Sequence, residues 1–86
     1  MEREYKLDFT TFVLSISSAA YMGLGLVPKP GNSQPEVDLD LAKHNIHLLE
    51  LMKEKTINNL SSEEQKLLDS LLFETRMRFV EAQKKV

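Results

Sequence analysis

The chain has no cysteine and no tryptophan, and only three glycines and three prolines in 86 residues. Without cysteine there is no disulfide scaffold, thiolate zinc site, iron–sulfur cluster or cysteine nucleophile. A secreted domain this small usually leans on disulfides, so a reducing, cytoplasmic setting is expected. No sign of charge dominates: eleven Lys and Arg face thirteen Asp and Glu, a net −2. Non-specific nucleic-acid binding needs a concentrated basic face. Here the basic residues are scattered and outnumbered, so no nucleic-acid partner is expected. Residues 1–8 alternate in charge through Glu2, Arg3, Glu4, Lys6 and Asp8. They read as a charged N-terminal tail, because a secretory signal opens with net positive charge and runs directly into an apolar segment. The 42% hydrophobic content and 9.9 kDa mass allow one small globular domain over 1–86.

What is present is helical periodicity. The spacing predicts three helices, at about 9–24, 39–56 and 62–83, and hence an all-α fold. In the first, Phe9, Phe12, Val13, Ile16, Ala19, Ala20 and Gly23 follow helical spacing, with Asp8 as N-cap. Ser15, Ala19 and Gly23 form a second run, small at every fourth residue, which would let another backbone approach. Gly23 and Gly25 favour an end near Leu24. The second helix has Asp38 as its cap and a wide apolar face of Leu41, Ala42, Ile46, Leu48, Leu49, Leu51 and Met52. Asp40 near its start and Lys53 and Lys55 near its end suit the helix dipole.

Between these helices, Pro28, Pro30 and Pro35 forbid a continuous helix, so 25–38 is a Pro-rich loop. Asn58 suits the left-handed conformation that closes a helix. Ser61-Ser62-Glu63-Glu64 has the form of a capping box, with Ser61 and Glu64 exchanging bonds. So short a break makes helices 2 and 3 an antiparallel hairpin.

The third helix, about 33 Å long at the standard rise, is apolar around much of its circumference. Leu68, Leu72, Thr75 and Phe79 form one stripe, and Phe73, Met77 and Val80 another, with Glu74 and Arg78 paired on the remaining polar strip. A helix in a small monomeric bundle buries one stripe and shows a polar back. Leaving Phe73, Met77 and Val80 in water forgoes about 1.5–3 kcal/mol per side chain. A homodimeric helical bundle with a shared core is the expectation.

Two further readings arise from the same letters. Residues 9–28 carry no charge and approach the length of a bilayer span, which would make the chain membrane-associated. Against it stand Thr10, Thr11, Ser15, Ser17, Ser18 and Tyr21, and flanks without a clear Lys/Arg excess. His44 and His47 lie one turn apart, with Asp40 before them and Glu50 after, and could bind a divalent metal or small ligand. Their spacing matches neither the His-Glu-x-x-His helix nor the Glu-x-x-His pairs of di-iron bundles. Two such histidines are more often polar surface residues, and no metal or cofactor is assigned. Catalysis has no convergent set: no nucleophile elbow exists, and Gly23-Leu24-Gly25 closes a helix instead of opening one.

Several strings together resemble a known family: FTTFVLSIS (9–17), MGLG (22–25) with Pro28 and Pro30, Leu41-Ala42, LELMKEKT (49–56), NLSSEE (59–64) and LFETRMRFVEA (72–82). Their order is similar to the domain of unknown function 1844 family. The most specific piece is Glu54-Lys55-Thr56, two variable residues, then Asn59-Leu60-Ser61. The chain departs from the family at His47, where Asp is expected, and at Asn58, where Gly is usual. The resemblance implies a short bacterial, cytoplasmic, all-helical module without an assigned activity, so no catalytic residue carries over. The leading expectation is a non-enzymatic, self-associating interaction module.

Overall fold

The computed structural model describes residues 8–85; all of the charged tail 1–8 except Asp8 lies outside the described residues. Among the described residues there are three α-helices and no strand: α1 (Phe9–Gly23), α2 (Leu39–Lys55) and α3 (Ser62–Lys85). The fold is all-α.

The helix ends follow from local chemistry. Asp8 caps α1 by accepting from the Thr11 amide at 2.8 Å, and Asp38 caps α2 by accepting from the Leu41 amide at 3.2 Å. At the end of α1 the Gly25 amide bonds the Met22 carbonyl and the Leu26 amide bonds Tyr21. These paired bonds are the Schellman closure, which needs a left-handed residue, and Gly25 supplies it at φ +77°. The helix therefore stops at Gly23, and the uncharged run 9–28 is broken before its end. At about 1.5 Å per residue, the 15 residues of α1 reach roughly 22 Å. Among the described residues no helix is long and apolar enough to cross a membrane, which counts against a span at 9–28. Asn58 adopts φ +64° after α2. The Ser61 hydroxyl then accepts from the Glu64 amide at 3.1 Å while the Ser61 amide donates to Glu64 at 2.9 Å. This is the reciprocal capping box that the sequence predicts.

The core joins Val13, Ile16 and Ala20 of α1, Ile46 and Leu49 of α2, and Leu68 and Leu72 of α3. Three buried polar residues interrupt it, one per helix: Ser17, Asn45 and Thr75. Each bonds a carbonyl four residues back, Val13, Leu41 and Leu71 respectively, at 2.9, 2.9 and 2.7 Å. Burial of these groups is therefore compensated.

Some sequence assignments move. Phe12 and Leu51, expected on apolar faces, are exposed, because α1 and α2 each turn only part of their apolar circumference inward. Of the small run, Ser15 is exposed, Ala19 is half-buried and only Gly23 is fully buried. Neighbouring backbone comes close at Gly23. A Cβ on Gly23 would meet the Ala42 nitrogen and lie 2.8 Å from the Asp38 carbonyl oxygen.

The same point closes the Pro-rich loop. The Asp38 amide donates to the Gly23 carbonyl at 2.8 Å, joining the loop's two ends. Lys29 reaches back from within the loop to the Asp38 carboxylate at 3.1 Å. Asp38 is thus a cap, a loop tie and an ion-pair partner at once. The Leu41 amide and then Lys29 hold its carboxyl below its ordinary value of 3.8.

Two outcomes are expected. Gly23→Ala should cost about 1–3 kcal/mol, since the new methyl meets backbone that cannot swing aside; an unchanged urea midpoint would show that the helices separate freely there. Asp38 binds its proton less readily folded than unfolded, so its contribution is present above pH 3.8 and is lost as pH falls through the lowered folded value. Asp38→Asn should flatten that acid limb of the stability–pH curve, and superimposable limbs would contradict the assignment.

Candidate functional site

The feature that stands apart from the core is the second side of α3. Leu68, Leu72 and Thr75 are buried and Phe79 packs against the core. At about 100° per residue, the stripe of Phe73, Met77 and Val80 lies roughly 140° around the cylinder from them. Those three side chains are 68%, 43% and 49% exposed. Leu72 and Phe73 are adjacent in sequence and sit at opposite extremes of burial. The chain measures 40 × 37 × 16 Å, so it is thin in one direction.

Beside the stripe, α3 faces α2 across a seam held by two ion pairs. Lys53 binds Asp69 at 2.9 Å, and Arg76 binds Glu50 through Nε at 3.1 Å and Nη2 at 2.9 Å. On the other flank, Arg78 holds Glu74 at 2.9 Å and approaches Glu81 at 3.9 Å. The Glu74–Arg78 pair is the one that the sequence predicts. All these partners are substantially exposed, so solvent screening leaves each pair a small contribution to stability. Their larger effect is local neutrality beside the apolar stripe. The Lys53 hydrogen bond draws the Asp69 carboxyl below its ordinary value, and the Glu74 hydrogen bond raises Arg78 further. Tyr21 of α1 stands near the latter group, and partial burial followed by the Glu74 charge pushes its phenol upward.

Two shallow grooves share Arg76. One, about 370 Å³, is floored by Leu72, Phe73, Met77 and Val80. The other, about 330 Å³, is floored by Ile46, Phe79 and Val80 and rimmed by Lys43, His47 and Glu50. The arrangement offers an apolar strip with paired charges at its edges, suited to contact with another apolar surface.

Of the residues considered for metal or ligand binding, His47 and Glu50 rim the second groove, while His44 and Asp40 line neither. His44, His47 and Asp40 are all exposed on α2, and Glu50, the fourth member, is taken by Arg76. Among the described residues no group of three or more His, Cys, Asp or Glu is placed to hold a metal ion. The interhelical pairs Lys53–Asp69 and Glu50–Arg76 were not anticipated; their partners are 16 and 26 residues apart, beyond any local spacing rule.

The family model for a domain of unknown function, DUF1844, matches residues 6–81, and the chain belongs to that family. No curated protein and no solved structure matches it.

The two sides of α3 should respond differently to truncation. Leu72→Ala is expected to lower unfolding free energy by about 2–5 kcal/mol, as for any large-to-small change in a closed core. Phe73→Ala, with most of its ring in solvent, should cost the isolated fold far less. Urea denaturation at the lowest workable concentration compares them; equal losses would mean that Phe73 belongs to the intrachain core.

Proposed function

We propose that this chain is a helical interaction module that acts by self-association, its contact surface being the outer stripe of α3. The observation that carries this reading is the joint exposure of Phe73, Met77 and Val80 on a helix whose opposite side already fills the core. Covering each of them would recover roughly 0.6–2 kcal/mol, scaled from full-burial values by the fraction exposed. A second copy is the simplest cover, since the same patch then satisfies itself on both chains. Within each copy, α2 and α3 form an antiparallel hairpin. The order of the ion pairs supports it: Lys53 partners Asp69, and the earlier Glu50 partners the later Arg76. The cysteine-free sequence suits a reducing cytoplasm as the place of action.

Light scattering on the full chain at micromolar concentration should return about twice 9.9 kDa. Met77→Asp places a charge in the middle of the stripe and should restore the single-chain mass with the helical content intact. A wild-type chain that stays at the single mass across this range would defeat the proposal. A Met77→Asp protein that remains double would move the contact away from α3.

A further inference from the structure

We infer that two copies pair α3 against α3 in opposite directions, with the two-fold axis passing close to Met77; the inference rests on the self-association proposed above. The stripe extends beyond its apolar centre. Lys66, Ser70, Phe73, Met77, Val80 and Lys84 follow one another in alternating steps of four and three residues, the spacing of a coiled-coil seam. All six are exposed. The seam is apolar in the middle and cationic at both ends, with Met77 at the centre of the apolar part.

That charge pattern distinguishes the two directions of pairing. Parallel packing sets Lys66 against Lys66 and Lys84 against Lys84 of the second copy, two face-to-face ammonium pairs on the seam. It also places like helix ends side by side: Glu63 and Glu64 in both first turns, Lys84 and Lys85 in both last turns. Opposed packing centred on Met77 sets Phe73 against Val80 and Ser70 against Lys84 of the second copy. The lysines are then staggered along the seam by about 6 Å, four residues at the standard rise. The acidic first turn of one α3 lies toward the basic last turn of the other, and the helix dipoles oppose. The flanking charges do not reverse this preference, because Arg76 is held by Glu50 and Arg78 by Glu74 within each chain.

The absence of cysteine makes the test direct. Lys66→Cys and Ser70→Cys each give one attachment point for a nitroxide on an exposed residue, in a chain otherwise free of thiols. Pulsed dipolar spectroscopy reads the distance between the two copies' labels, with light scattering on the same samples. Opposed pairing about Met77 predicts axial separations of about 33 Å for position 66 and about 21 Å for position 70. Parallel pairing predicts about 10 Å at both. A double-mass sample showing the long and the intermediate distance supports the inference. A double-mass sample with both distances short, or with the two not ordered in this way, overturns it and leaves self-association standing. A single-chain mass in labelled and unlabelled protein alike, with no dipolar coupling between the labels, overturns both.

Discussion

A helix can turn only one side toward a single core, and in α3 that side is occupied by Leu68, Leu72 and Thr75. The packing of three helices leaves room for one such seam. Phe73, Met77 and Val80 lie too far around the cylinder to join it, whatever rotation the helix adopts. Rotating α3 to bury them would expose Leu72 and Leu68 instead. The exposed stripe is therefore a consequence of placing apolar residues on two sides of one helix, and the interaction proposed for this chain follows from it.

The other end of the architecture depends on a single junction. Gly23 admits the backbone of Asp38 and Ala42 where a side chain would be refused. Asp38 then joins loop, helix cap and Lys29 in one place. The loop's three prolines lower the entropy of the open chain, and the bond from Asp38 to Gly23 fixes its two ends together. α3 packs Leu68 and Leu72 against core residues of α1 and α2, and that packing sets which of its sides carries the outer stripe.

Much of this was legible from local chemistry. Ser61 and Glu64 exchange bonds within four residues, so the start of α3 needs no distant partner. Asp8 and Asp38 cap for the same reason, and Asn58 shows its left-handed turn in its own φ. The polar core was not legible. Ser17 and Asn45 look like surface residues until their hydroxyl and amide are seen returning to a carbonyl of their own helix. The exposure of Phe12 and Leu51 was equally hidden, since periodicity marks an apolar arc without saying which part of it meets a neighbour.

Membership of the DUF1844 family and the all-α class rest on the order of residues along the chain. So do the three helices, their caps and the two-sided character of α3, because each arises from groups within one or two turns of each other. The tertiary structure alone decided that Phe12 and Leu51 face outward, and that Gly23 is the residue of the small run set against the backbone of Asp38 and Ala42. It alone paired Glu50 with Arg76 and Lys53 with Asp69. Those outcomes depend on how three helices share one volume, and a helix's own periodicity carries no information about its neighbour's position.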